Sequence, residues 1–385
     1  MLKIKKAQDY LQSHDLAGWL LQDYQNSNPV FWEVLGIKAH TTRPCFFYIP
    51  RAGDATLLAH SVDVGRFSSL EVAAIPYVGR VDMQRKLGDL LQVGQRVAME
   101  YSPLNTLPSV SNVDGGTLEL VRSLGVEIVS SANLIQHTVA LLNEEQLETH
   151  REAASKLGRI VLEAFEAIGR RVGRINEWNV REFIRRRMRE EQLETEEGPV
   201  VAVNENSGDP HYEPTKESAE RIRPGDWVLI DLWARLRVPG AIYGDLTWVG
   251  HVGEHVPNLH REVFGVIKEA RDAAVQFIRE AAEKDVVLKG QEIDEYARKI
   301  IAERGYGQFF THRLGHSLGQ TVHAHAVNLD SFETSDFRDL VPGVAFTIEP
   351  GIYLPAFGAR SEINAYMTEQ GPVVTSPVQD EVVVI

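Results

Sequence analysis

The sequence has a single cysteine, Cys45, among 385 residues. That excludes an intramolecular disulfide framework and any metal site built from cysteine alone, and it suits a reducing compartment. No apolar run approaches the roughly 18 residues of a membrane span. The basic start, Met1-Leu2-Lys3-Ile4-Lys5-Lys6, is followed by Gln8, Asp9, Gln12 and His14 where a signal peptide needs an apolar stretch. A cytoplasmic protein with no membrane partner is therefore expected. Positive charge is also scarce: 40 Lys and Arg against 54 Asp and Glu leave a net charge of −14, a field that repels a phosphate backbone. The one basic cluster, Arg185-Arg186-Arg187 with Arg189, is interleaved with Glu182, Glu190 and Glu191 and reads as a solvated helix face. No nucleic-acid partner is expected, and there is no internal repeat or low-complexity tract.

What is present describes a folded chain with room for two cores: 43% hydrophobic, 24% charged, and long enough for two domains. Residues 4–12 read as an amphipathic helix and 17–21 as an apolar strand. Residues 45–50 and 55–59 flank the turn-forming Arg51-Ala52-Gly53-Asp54, and 96–100 and 126–129 add two strands. These make a mixed α/β domain over 1–142. Asn143 with Gln146 three positions on is a capping box, and it opens a long helix with a buried stripe of Leu157, Ile160, Val161, Ala164, Phe165, Ile168 and Val172. A second domain over 143–385 follows, with helices expected at about 257–282 and 290–304. Helices and hairpins are segregated there, so the fold class is α+β.

The chemistry lies in carboxylates whose spacing makes sense only after folding. Asp231 closes the apolar run Trp227-Val228-Leu229-Ile230, and Asp245 precedes Leu246-Thr247-Trp248-Val249. Pairing the two centres a turn on Val238, beside Pro239-Gly240. Glu349 and Glu362 repeat the construction around Pro355-Ala356. Like charges opposed across a ladder repel, more so when buried. Two divalent cations would balance four carboxylates. His316, in Gly315-His316-Ser317-Leu318-Gly319, adds a nitrogen donor, and such a mixed oxygen and nitrogen set suits manganese, cobalt or zinc. The bland alternative is two surface hairpins in a chain with 54 acidic residues. The same Gly-x-Ser-x-Gly run matches a serine-hydrolase elbow. However, that fold needs an acid and then a histidine after the serine, and no Asp or Glu lies between Ser317 and the last histidines, His323 and His325.

Taken together, several stretches resemble the pita-bread metallopeptidases, which include prolidase, aminopeptidase P and methionine aminopeptidase, together with metal-free creatinase. They are Asn206-Ser207-Gly208-Asp209-Pro210-His211, Pro224 to Asp231, Asp245-Leu246-Thr247, Gly315 to Gly319 with His323, Thr347 to Tyr353, and Gly358-Ala359-Arg360-Ser361-Glu362. The resemblance covers about 150–385, and the first 142 residues are similar to the smaller creatinase-like domain of the prolidase branch. It implies Asp231, Asp245, His316, Glu349 and Glu362 as ligands of two divalent metal ions, manganese foremost with cobalt or zinc as alternatives, and Asp245 and Glu362 bridging. It further implies Glu349 as proton acceptor, His211 and His323 as hydrogen-bonding partners of the substrate, Arg360 as the partner of a ligand carboxylate, and a homodimer. Three departures stand out: Asp231 and Asp245 are fourteen apart where the family usually has eleven, Ala324 and Ile363 replace common acidic residues, and Trp248 replaces a common Arg.

The function this implies is hydrolysis of the Xaa-Pro imide bond in a proline-containing peptide, in dipeptides first, with aminopeptidase P activity on longer peptides as the alternative. A creatinase-like amidinohydrolase or a catalytically dead binding module would each dispense with ligands that this sequence retains. His260, His312 and His325 lack a motif, and structural roles are expected for them; His312 and His325 could also line the pocket. Phe309 and Phe310 are expected in the core, and Thr247 either supports a ligand or is an ordinary strand residue.

Overall fold

The computed structural model describes residues 2–37, 39–210 and 212–385. The chain divides into two compact units, Met1–Leu141 and Leu142–Ile385. Among the described residues no helix is long and apolar enough to cross a membrane.

The first unit runs α1 (Leu2–Ser13), β1 (Gly18–Asp23), α2 (Pro29–Leu35), β2 (Cys45–Pro50), β3 (Thr56–His60), β4 (Ala73–Tyr77), α3 (Gly79–Leu90), β5 (Arg96–Met99), α4 (Gly115–Ser123), β6 (Glu127–Ser130) and α5 (Ala132–Ile135). Its six strands form one mixed sheet in the order β4-β3-β2-β1-β5-β6. The expected hairpin is present, with Phe46 opposite Leu58 and Phe47 opposite Leu57. The helices α2 and α3 and the strand β4 have no counterpart among the elements expected from the sequence.

The second unit opens on α6 (Glu144–Gly169), followed by α7 (Glu177–Glu190), β7 (Leu193–Glu194), β8 (Val200–Val203), β9 (Trp227–Leu236) and β10 (Gly244–His251). Next come α8 (Asn258–Ala282), α9 (Gly290–Glu303), β11 (Ser317–Leu318), β12 (Ala345–Ile348), β13 (Gly351–Leu354), β14 (Phe357–Arg360), β15 (Ile363–Thr368), β16 (Gly371–Val374) and β17 (Val383–Val384). The capping box is formed in both directions: Gln146 N donates to Asn143 Oδ1 at 2.8 Å and Asn143 N to Gln146 Oε1 at 3.1 Å. The α6 stripe packs on Val228, Ile230, Leu232 and Ala234 of β9 and on Leu246 and Trp248 of β10. Since successive strand residues face opposite ways, this burial turns Asp231, Asp245 and Thr247 to the other face.

The register of this hairpin differs from the expected one. Asp231 stands opposite Thr247, and Asp245 opposite Trp233, so the turn centres on Pro239 and the two carboxylates are diagonal neighbours on one face instead of a direct pair. The second hairpin keeps its expected centre. Gly351 pairs with Arg360 in β13–β14, and Ile348 with Ile363 in β12–β15. Glu349 and Glu362 occupy the break between the two ladders, where Ser361 N donates to Pro350 O at 3.3 Å.

His150 ties α6 to the rest of this unit. It is fully buried, its Nδ1 lies 2.7 Å from Tyr243 O and its Nε2 2.7 Å from the Thr375 hydroxyl. A neutral ring satisfies both: Nδ1–H donates to the carbonyl and Nε2 accepts. Burial pushes its pKa down to about 4, whereas the unfolded chain takes up a proton near 6.5. The stabilisation is therefore complete above pH 6.5 and is lost as pH falls toward 4, by on the order of 3 kcal/mol. Urea midpoints at pH 7 and pH 5 should separate more for the natural protein than for His150→Gln.

Candidate metal centre

Two hairpins and one loop bring five side chains together. His316 Nε2 lies 3.6 Å from Asp245 Oδ2 and 3.3 Å from Glu349 Oε1. Ligand atoms of Asp245, His316 and Glu362 all lie within 4.8 Å of one another, and these three residues are buried. Atoms about 2.1 Å from a shared tetrahedral centre stand about 3.4 Å apart, so the His316 spacings fit a common cation. Asp231 joins the group through Arg360, whose Nη2 is paired with Asp231 Oδ2.

The hydrogen bonds show what the carboxylates lack. Thr247 donates its hydroxyl to Glu362 Oε2 at 2.8 Å and accepts from Arg360 Nε at 2.9 Å, so Thr247 supports a carboxylate of the group. Three oxygens remain buried with no hydrogen-bond partner among the described residues: Asp231 Oδ1, Asp245 Oδ1 and Glu362 Oε1. Buried polar atoms are ordinarily paired, and three orphaned carboxylate oxygens in one cluster have the chemistry of a cation site.

Electrostatics agree. Burial raises the pKa of Asp231, Asp245, Glu349 and Glu362; repulsion from Asp245 adds to the rise of the other three, and Arg360 opposes it in all four. Burial lowers His316, against the attraction of Glu349. Four carboxyl groups, Asp245 and Glu362 buried and Asp231 and Glu349 largely so, with one guanidinium among them, resist ionising together, and divalent cations would remove that resistance.

Of the supporting residues, Thr347 and Tyr353 lie in the stretch around Glu349, whereas Asn364 and His312 carry no motif. Thr347 Oγ1 accepts from His316 N at 3.0 Å and donates to Glu349 Oε1 at 3.0 Å. Asn364 Oδ1 accepts from Asp245 N at 3.0 Å while its Nδ2 donates to Asp245 O. Tyr353 OH lies 2.8 Å from Arg360 Nη1 and 2.8 Å from His312 Nε2. Because His312 Nδ1 is 2.7 Å from Arg313 O, the ring donates there, and Tyr353 donates to Nε2. A Cβ on Gly315 would lie 2.1 Å from Thr347 O. Gly315→Ala should therefore displace His316, cost about 1 to 3 kcal/mol of stability and lower the metal content measured after dialysis against manganese.

Of the remaining sequence candidates, His323 is exposed with its ring edge-on to His316, centroids 4.4 Å apart. His211 lies outside the described residues. His260 stacks on Phe357 at 3.9 Å, and Phe310 is core. Ser317 is fully buried and donates to Ala326 O at 3.0 Å, which closes the nucleophile reading of that serine.

Residues 148–369, more than half the chain, match metallopeptidase family M24. An Xaa-Pro dipeptidase of Lactobacillus helveticus is 33% identical over 179 residues, 45% of this chain and 42% of that relative, so less than half of the relative's length is spanned. A probable dipeptidase PepE of Mycobacterium bovis is 27% identical over 327 residues, 82% of this chain and 81% of the relative. Among solved structures, dipeptidase PepE from Mycobacterium ulcerans superposes with a TM-score of 0.74 at 22% identity, over 100% of this chain and 97% of the other. A prolidase from Thermococcus sibiricus gives 0.68 at 21%, over 100% and 98%. These structural likenesses carry the fold, which is the pita-bread arrangement preceded by a smaller mixed α/β unit. With the family matched across the segment that holds every residue of the cluster, the chain belongs to metallopeptidase family M24.

Proposed function

We propose that this chain is a dinuclear metal-dependent Xaa-Pro dipeptidase, with Asp231, Asp245, His316, Glu349 and Glu362 as the ligands, Asp245 and Glu362 being shared. The observation that carries the reading is the set of three buried carboxylate oxygens, on Asp231, Asp245 and Glu362, that have no hydrogen-bond partner among the described residues, together with the gathering of Asp245, His316 and Glu362. The matched relative named Xaa-Pro dipeptidase supports the substrate class.

Divalent cations, when bound, polarise the scissile carbonyl and acidify the attacking water. The protein's own residues do the rest. Glu349, whose side chain is 14% exposed, takes the proton of the attacking water. It then hands that proton to the proline nitrogen, which must be protonated to leave as a secondary amine. Arg360 holds Asp231 in place and keeps a positive charge among the carboxylates. His323 and His211 hydrogen-bond the substrate and the developing oxyanion.

The same proposal includes manganese as the working metal, a cytoplasmic location, a homodimer, and a division of labour in which residues 143–385 form the catalytic domain and 1–142 an accessory creatinase-like domain. Proline release from Ala-Pro and cleavage of Ala-Pro-Ala, measured after chelation and reloading with manganese, cobalt or zinc, tests it. Metal-restored activity confined to Ala-Pro is expected. Cleavage of the tripeptide would replace the dipeptidase by an aminopeptidase P, and silence on both would remove the Xaa-Pro reading.

A further inference from the structure

Helix α9 contributes two side chains that the mechanism above does not use. Asp294 is fully buried, and Arg298 one turn later is paired with it, Nη2 to Oδ1 at 3.1 Å and Nε to Oδ2 at 3.2 Å. Neither side chain stops at the other. Arg298 Nη1 donates to Phe310 O at 2.8 Å and Nη2 to His312 O at 2.7 Å, while Asp294 Oδ1 accepts from Leu314 N at 2.9 Å. The guanidinium also lies over the rings of Phe310 and Phe332, 4.1 and 4.4 Å from their centroids.

The partners at 310, 312 and 314 are alternate residues. In an extended segment the backbone groups of every second residue face the same side. The carboxylate and guanidinium therefore stand where a neighbouring strand would, offering donors to two carbonyls and an acceptor to one amide. The hold ends at Leu314. At the next residue Gly315 exchanges hydrogen bonds with Leu329, and at the one after that His316 N reaches the Thr347 hydroxyl.

We infer that Asp294 and Arg298 are positioning residues for His316: they fix the register of the segment 310–314 so that the imidazole emerges facing Asp245 and Glu349. The inference rests on the metal reading of the proposed function. A pair that served packing alone would need no such register, because a buried ion pair is as a rule replaceable by apolar groups at little loss of stability. What apolar groups cannot replace is the set of directed bonds to Phe310, His312 and Leu314.

The test uses the full chain stripped of metal, with Mn²⁺ alone as the probe, and compares calorimetric affinity with the rise in Tm on adding Mn²⁺. Arg298→Met should weaken Mn²⁺ binding about 10-fold or more, the range seen when partners of ligand residues are lost, and shrink the Mn²⁺-induced rise. Arg298→Lys, which keeps the charge without the fork, should recover part of the affinity. Ser331→Ala removes a different bond to Asp294, that of the Ser331 hydroxyl, and should lower Tm equally with and without Mn²⁺. If Arg298→Met does not fold, Asp294→Asn is read in the same way. Unchanged Mn²⁺ affinity in these variants, with Tm lowered equally in both states, would overturn the inference. A natural protein that takes up no Mn²⁺, Co²⁺ or Zn²⁺ would instead overturn the metal reading beneath it.

Discussion

Replacing Glu362 with Gln is expected to raise the Tm of the metal-free protein while abolishing its peptidase activity. Glu362 Oε2 accepts from Thr247, and Oε1 is buried without a partner among the described residues. Its pKa is pushed well up by burial, then by Asp245, Glu349 and Asp231. A Gln retains the carbonyl that Thr247 needs and places an amide where the orphaned oxygen faces its fellow carboxylates, turning a repulsion into an attraction. The sign follows from linkage. A carboxyl with a raised folded pKa holds its proton when the unfolded chain has released it near pH 4, so the metal-free fold loses stability as pH rises from there. The advantage of Gln is therefore absent near pH 4 and largest at pH 8, where a gain of about 1 kcal/mol corresponds to about 2 to 4 °C in Tm. The bound state behaves oppositely. Gln carries no charge for a cation, and turnover should fall by more than about 100-fold, the upper range for losing even an outer partner of a ligand. Thermal scans of stripped and manganese-loaded protein at pH 5 and pH 8 decide the matter. A lower metal-free Tm at pH 8, or surviving turnover, would contradict it.

The contrast between what the sequence discloses and what it conceals has a physical basis in this molecule. Asn143 and the α6 stripe are local signals, and both are realised because a capping box and a 3.6-residue period depend on near neighbours alone. Helix α2 carries local signals of the same kind: Asn28 caps it, Pro29 is its first residue and Gly36 closes it in the left-handed conformation at φ 68°. Strand β4 had almost none, since Ala73-Ala74-Ile75-Pro76-Tyr77 is alanine-rich and includes a proline that only an edge strand tolerates.

At the centre itself, parity is legible and register is not. Alternation of apolar residues fixes which face Asp231 and Asp245 occupy, but the geometry of a loop containing Pro239 and Gly240 decides the pairing, and it shifted by one two-residue step. The second hairpin hid something different. Its centre is readable, yet the ladder break that frees Glu349 and Glu362 from strand pairing shows only in the folded chain. Asn364, Asp294 and Arg298 are ordinary polar residues until folding brings them to the site, and no spacing rule reaches across such separations in the chain.

Arg360 is where the largest combined effect on catalysis and stability is expected after Glu362, because one guanidinium serves several carboxylates. Besides pairing with Asp231, it donates to the Tyr353 hydroxyl at 2.8 Å and to Thr247 at 2.9 Å, and its Nε lies 3.9 Å from Glu349. Thr247 passes the constraint on to Glu362. The side chain is 7% exposed, so screening by water is slight. Arg360→Lys keeps one positive charge but lacks the planar fork that spans these partners; kcat should fall about 10- to 100-fold while Mn²⁺ is still taken up at saturation. Arg360→Met leaves Asp231 buried and uncompensated, at about 3 to 5 kcal/mol in the metal-free protein. Saturating metal should restore part of that loss, because cations then neutralise the carboxylate that Arg360 had held. Urea unfolding of both variants with and without manganese, set beside kcat for Ala-Pro, separates orientation from charge. Wild-type kcat in Arg360→Lys would mean that charge alone matters. A loss in Arg360→Met that metal leaves untouched would mean that Asp231 lies outside the cation site.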